Sequence, residues 1–374
     1  MGRLRTILYL ASLAAALVFR PCPGYAQEAG AALPEEKVIA FEDKLHDFGD
    51  VLLSDGPLKC SFKFKNISDS PILINNIISS CGCTTPEWTR TSVQPGGTGS
   101  IEVTFANDQG AVPFDKTLTV YVTGVNRPVI LRIRGYAHDK RVKLAESYPF
   151  HIGQLAFRAP SYSAGYVDQG LSRSDSFTVA NISRRPLTVS LASPVPGVSM
   201  SLDRNPVPAQ GTARMTVTFD SRVAHPQKWG KQNFDLAFDL DGRRAPGSFR
   251  LTFFVKDNFN DLSAAQIERA ASPVPDQSYF EFGTVKAGKK VEASFRIRNT
   301  GSEPLVIHKV EADKAGIQLQ GKCPVTIQPG AAAALKFKYD TSKMSGETAV
   351  VLTLITNSPA KPLLNLFLTG KIIK

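Results

Sequence analysis

Three patterns recur in the same order along the chain, and this repetition limits the fold more than any other feature. The first is a glycine that opens a short turn into an apolar-alternating strand: Phe48-Gly49-Asp50-Val51, Ala164-Gly165-Tyr166-Val167 and Phe282-Gly283-Thr284-Val285. The second follows 16 or 17 residues later as Asn66-Ile67-Ser68, Asn181-Ile182-Ser183 and Asn299-Thr300-Gly301, each with a proline and an apolar run behind it. The third is a turn before a strand: Pro95-Gly96, Pro208-Ala209-Gln210-Gly211 and Pro329-Gly330. Asn66 and Asn181 are 115 residues apart, and Asn181 and Asn299 are 118 apart. Three anchors held in one register predict a tandem array of one module.

Within each copy the apolar residues alternate. Cys60, Phe62 and Phe64 interleave with Ser61, Lys63 and Lys65; Phe177 and Val179, then Phe295 and Ile297, repeat the pattern. Period-two alternation is the mark of a half-buried strand. Gly (28) and Pro (25) are frequent enough in 374 residues to punctuate many short strands. Some seven strands per copy predict an all-β chain of three tandem immunoglobulin-like β-sandwich modules. The expected modules span 38–139, 148–257 and 279–374, joined by a charged segment after 137 and by a linker at 258–278. That linker contains an apolar stretch, Leu262–Ala271, able to form a short helix.

The N-terminus reads as an export signal. Arg3 and Arg5 precede an apolar run from Thr6 to Phe19, and Gly24-Tyr25-Ala26 supplies small residues for cleavage after Ala26. Arg20 and Pro21 end the run short of the roughly 20 residues a membrane span needs. Lipidation at Cys22 is the alternative, although Phe19-Arg20-Pro21 lacks the small residues that lipidation requires. No later stretch approaches spanning length, so the expected compartment is the periplasm or cell surface. Removal of Arg3, Arg5 and Arg20 lowers the formal net charge from +11 to +8.

Phe48-Gly49, Asn66 with its following proline, Ser79-Ser80-Cys81-Gly82-Cys83-Thr84 and Pro95-Gly96 together resemble the secreted bacterial family catalogued as domain of unknown function 1573. The Cys-Gly-Cys-Thr signature is confined to the first copy. The resemblance implies immunoglobulin-type modules similar to hydin-like and major-sperm-protein-like domains, in an envelope protein. It implies no established activity.

Cys60, Cys81 and Cys83 are the candidate thiol site. If the strand at 72–78 pairs with Lys59–Lys65 across the turn at Asn66–Pro71, Cys60 faces the region of Ile77, near Cys81. The leading expectation is a structural disulfide from Cys60 to Cys81 or Cys83, worth on the order of 3 kcal/mol for a loop of about 20 residues. A Cys81–Cys83 pair used in redox chemistry, and a soft-metal site for Cu(I) or zinc on the three sulfurs, are the alternatives. Cys323 has no counterpart in the other copies and is expected as a buried free thiol.

No nucleophile motif, zinc-protease motif or phosphate loop is present, so no catalytic residue is assigned and no resident cofactor is expected. Asp235, Asp239 and Asp241 lack calcium-loop spacing and read as a solvated strand face and turn. Arg184-Arg185, Arg243-Arg244 and Lys289-Lys290 are scattered pairs with no aromatic interleaving, which argues against nucleic acid. The expected activity is non-catalytic binding of an envelope protein or polymer, through sheet edges, loops or the Cys-Gly-Cys end and not one deep pocket. Thiol or metal handling at Cys81 and Cys83, and a purely structural spacer, are the alternatives.

Overall fold

Strand alternation organises the chain throughout the computed structural model, which describes residues 35–223 and 229–374. The expected cleavage after Ala26, and Cys22 with it, lie outside the described residues. In the first module, β1 (Ile39–Phe41), β3 (Leu58–Asn66), β6 (Thr98–Phe105) and β5 (Thr84–Trp88) form one sheet in the order β1-β3-β6-β5. The second sheet runs β2-β8-β7-β4, from β2 (Leu45–Leu52), β8 (Val129–His138), β7 (Pro113–Val122) and β4 (Ile74–Ser79). Their inner faces meet in a core that includes Phe62, Phe64, Ile101, Phe105, Leu118 and Leu131.

The other two modules repeat the plan. In the second, Ser172–Asn181 pairs with Gly211–Asp220, while Ser161–Asp168 pairs with Phe249–Lys256 on the opposite side. In the third, Lys290–Asn299 pairs with Ala332–Asp340, while Tyr279–Lys286 pairs with Leu363–Ile373. Each module buries its own apolar cluster, as a row of sandwiches requires. Pro273–Pro275, expected in the linker, is a strand bonded to Lys290–Asn299, so the third sandwich begins ahead of residue 279. The short helix between the modules covers Ala264–Arg269, capped by Ser263 and Gln266.

The repeated glycines do a different job from the expected one. Gly49, Gly165 and Gly283 have φ of 67°, 81° and 67°, and each sits inside a strand, at a break in its parallel pairing with the module's last strand. They are bulges, and a bulge changes which side chains share a face. Asp47 and Asp50 are three apart and would point to opposite faces of a regular strand. With Gly49 between them, Asp47 lies opposite Arg134 and Asp50 opposite Tyr136, on the same outer face of β8.

The repeated asparagines are buried pins, and Asn66, Asn181 and Asn299 are all 0% exposed. Asn66 Nδ2 donates to the Ser70 and Val93 carbonyls at 2.8 and 2.9 Å, and its Oδ1 accepts from the Ser68 amide at 2.9 Å. Asn181 Nδ2 reaches the Arg185 and Val207 carbonyls at 2.7 and 3.1 Å. Asn299 Nδ2 reaches those of Glu303 and Ile327 at 2.8 and 3.1 Å. Each side chain ties its own turn to a segment some 27 residues on. A side-chain amide so enclosed has no room for a glycan, although Asn66 and Asn181 head acceptor triplets.

That pin also corrects the expected strand pairing. The turn at Asn66–Pro71 does not fold β3 back on its neighbour; it carries the chain across the sandwich, so β4 pairs with β7 in the other sheet. Cys60 lies opposite Val103 of β6, not opposite the region of Ile77.

Candidate functional site

At the Cys-Gly-Cys end, Cys81 and Cys83 are joined to each other, and Cys60 is a free thiol buried on the inner face of β3. The expected bridge from Cys60 is therefore replaced by a bond within one turn. Burial, with Glu102 nearby, pushes the Cys60 thiol up to about 12. Cys323 is also free, half-buried rather than buried, and its thiol is raised by burial. Among the described residues no group of three or more His, Cys, Asp or Glu side chains is placed to share a metal ion. Asp235 pairs with Arg250 at 2.9 Å, whereas Asp239 lies in a different small sheet, so these two aspartates do not share the strand face expected of them.

The most developed polar cluster lies where the first module meets the second. Arg134, on the outer face of β8, donates from Nε to Asp47 Oδ2 at 3.0 Å and from Nη1 to the Tyr162 hydroxyl at 2.9 Å. Its Nη2 donates to the Ser176 carbonyl. Thr178 adds its hydroxyl to the same Asp47 oxygen at 3.1 Å, and Tyr162 donates onward to Asp175 at 2.9 Å. The Arg134 and Asp47 side chains are only 14% and 15% exposed, so the pair is shielded from most of the screening that weakens surface ion pairs. Burial and the Asp175 carboxylate raise the Tyr162 phenol to about 12, which keeps it a neutral donor.

Asp50, brought to the same face by the Gly49 bulge, holds a second group. Arg158 of the following module grips both its carboxylate oxygens, at 3.0 and 2.8 Å, and His138 approaches at 2.7 Å. The Arg158 guanidinium also lies 4.7 Å from the Tyr136 ring and 4.3 Å from that of Tyr148, within cation–π reach of both.

Between these two clusters lies a partly open cavity of about 360 Å³, floored by Phe114, Phe157 and Phe177 and walled by Tyr136, Tyr162, Arg134 and Arg158. The expectation of sheet edges and loops in place of a pocket does not hold at this seam. An aromatic hollow with a few fixed polar groups at a module boundary has the general make-up of a ligand site.

Acid should loosen the seam. Burial and the Arg214 charge lower His46 below its ordinary 6.5, so it binds fewer protons folded than unfolded. Burial works against Asp50, but the Arg158 and His138 hydrogen bonds outweigh it and hold its carboxyl below 3.8. Both groups contribute stability that is complete above their unfolded values and lost as pH falls. Unfolding midpoints should therefore drop as pH falls below 6.5 and again below the ordinary carboxylate range. Denaturant melts from pH 8 to pH 3 check this, and a midpoint that rises on acidification would contradict it.

The second junction is built differently. Trp229 stacks on His308 with ring centres 4.1 Å apart, and Asp257 accepts from Trp229 Nε1 at 2.5 Å and meets His308 at 2.8 Å. Glu311 of the third module accepts from the Lys231 amide at 2.9 Å. Neither junction was foreseen from the sequence. The available signal was the outer face of β8, where Arg132, Arg134, Tyr136 and His138 alternate with apolar residues, a concentration of arginine and ring side chains that suits an interface.

The family model for Protein of unknown function (DUF1573) matches residues 39–137 and 274–372, which together make up more than half of the chain. The chain belongs to this family. The two matches fall on the first and third modules, so membership of DUF1573 does not depend on Cys-Gly-Cys, which the third module lacks. A search of curated proteins finds no match. Among solved structures, a protein of unknown function from Porphyromonas gingivalis W83 is 20% identical with a TM-score of 0.47, over 59% of this chain and 100% of that one. The ASH / PapD-like domain of human CEP192 is 12% identical with a TM-score of 0.25, over 28% of this chain and 88% of that one. SSP-19, an MSP-domain protein like family member in Caenorhabditis elegans, is 10% identical with a TM-score of 0.20, over 24% of this chain and 92% of that one. Among the described residues no helix is long and apolar enough to cross a membrane.

Proposed function

We propose that this DUF1573 chain is a non-catalytic binding scaffold of the cell envelope, exported by its N-terminal signal, that holds a protein or polymer partner at the seam of its first two modules. The observation that carries this reading is the aromatic cavity framed by the Asp47–Arg134 and Asp50–Arg158 pairs. Four charged side chains and two tyrosines are spent on fixing one module against the next. The guanidinium groups are neutralised by their own aspartates, so the cavity favours an uncharged or aromatic segment over a strong anion.

Ala159 is exposed at the rim of the cavity and is the place to test the reading. A photoreactive phenylalanine analogue at Ala159, in the full chain within its own envelope, should give a defined cross-linked product that excess unlabelled protein competes away. The same group at Ser342, exposed near the far end of the third module, should give none. Equal products at both positions, or none at Ala159, would contradict the reading.

A further inference from the structure

Cys81 and Cys83 stand apart from the seam, and their surroundings point to chemistry that the binding reading does not use. We propose that the Cys81–Cys83 disulfide is exchangeable, accepting two electrons from a protein dithiol, with the Thr84 hydroxyl supporting the sulfur that leaves.

As a staple the bond achieves little. Its closed loop is three residues long, and because the chain entropy a disulfide removes grows with loop length, so short a ring gains little. It joins no element to another, since both cysteines lie in the turn between β4 and β5. That turn is already fixed by the backbone: the Ser80 amide donates to the Thr117 carbonyl and the Ala106 amide to that of Cys83, both at 2.9 Å.

Cys81 and Cys83 are half-buried, Cys83 resting on the first module's core, and the ring they close faces outward at Gly82. Gly82 is exposed, and a β-carbon built there would meet nothing within 4 Å, which leaves open space beside the ring for an incoming thiol. A third feature is the hydroxyl of Thr84, a residue only 3% exposed, which sits 3.4 Å from Cys81 Sγ and 3.8 Å from Cys83 Sγ. Disulfide sulfurs carry no hydrogen, so the hydroxyl is the donor. A donor fixed beside both sulfurs stabilises the thiolate that forms when the bond opens, and a more stable thiolate leaves faster. The Cys60 thiol, buried and raised to about 12, offers almost no thiolate to capture the opened pair.

The exchange balances without a further reagent. A thiolate of the dithiol attacks one sulfur of the pair, the Cys81–Cys83 bond breaks, and its electrons remain on the other sulfur. That sulfur takes a proton, while the second thiol of the dithiol deprotonates and attacks the mixed disulfide. The dithiol ends as a disulfide, and Cys81 and Cys83 end as two thiols.

Dithiothreitol serves as the dithiol in the test. The native full chain is treated at pH 7, quenched with an alkylating reagent at intervals, and weighed intact with peptide mapping. The expected result is that Cys81 and Cys83 are the cysteines whose alkylation depends on dithiothreitol, the free Cys323 reacting alike with and without it, with unchanged circular dichroism, and reclosure on addition of oxidised dithiothreitol. The native bond should open about tenfold faster than the same bond in the urea-unfolded chain, a rate ratio on the scale of one hydrogen bond. Thr84→Val should remove that advantage and Thr84→Ser should keep it. A bond that opens only after unfolding, or more slowly in the native chain than in the unfolded one, would overturn the proposal. So would equal rates for folded Thr84→Val and Thr84→Ser. The comparison with the unfolded chain requires no variant, so the test stands even if Thr84→Val does not fold.

Discussion

Replacing Asn299 with alanine should lower the stability of the third module by about 3 kcal/mol, the sum expected for stranding buried backbone groups. In a module of this size the shift in Tm is on the order of 15 °C. The side chain is fully enclosed, and its removal leaves the Glu303 and Ile327 carbonyls without their donor and the Gly301 amide without its acceptor. Asn299→Asp should be no better. It keeps an acceptor for the Gly301 and Ser272 amides but sets its other carboxylate oxygen against two carbonyl oxygens, and burying a charge in that way is costly. Asn66→Ala and Asn181→Ala should do the same to their own modules, because the hydrogen-bond plan repeats. Calorimetry of the full chain reads the effect as the displacement of one transition. Shifts within about 0.5 kcal/mol, typical of surface substitutions, would mean that these asparagines are ordinary turn residues.

The second large effect belongs to Arg134. Arg134→Met preserves much of the side chain's bulk but removes three hydrogen bonds that cross or brace the seam. It leaves the Asp47 carboxylate buried with only the Thr178 hydroxyl and the Gly49 amide as donors. Breaking one half of a buried pair costs about 3 kcal/mol or more, and here the loss should appear as release of one module from the other. Asp47→Asn combined with Arg134→Met should recover part of it, since no uncompensated carboxylate then remains. A double-mutant cycle gives the coupling directly. If Arg134→Met alone leaves the seam intact, the ion pair is not what fixes it.

The modules were legible because their signals are local. Alternation along Cys60–Lys65 and the recurring Gly, Asn and Pro-Gly positions depend on residues close in sequence, and the structure keeps all of them in repeating places. What those anchors do was less visible. A glycine before an apolar run reads as the start of a strand, yet Gly49 is a bulge within one, because the strand before it finds a parallel partner some 85 residues away. The turn at Asn66 looked like a hairpin, since a short polar turn between two apolar runs is the usual hairpin signal. The direction in which the Asn66 amide points decides otherwise, and sequence spacing does not encode it.

The cysteines failed to join as expected for the same reason. Once β4 lies in the opposite sheet, Cys60 has Val103 as its neighbour, and the two sulfurs left in one turn find each other. The seam was the least legible part. Asp47, Arg134, Tyr162 and Ser176 come from four strands of two modules, and nothing local distinguishes Arg134 from Arg132, which makes an exposed pair with Asp115.

The central claim is that the first two modules are locked into one unit around the cavity. A distance measurement between two spin labels tests it most directly. The labels are attached through unnatural residues at exposed Lys63 in the first module and exposed Ser190 in the second, which avoids the native cysteines. The account predicts one narrow distance distribution for the native chain and a broad one after Arg134→Met. A distribution equally broad in both would mean that the modules hang on a flexible join, and the cavity with its proposed partner would fall with the claim.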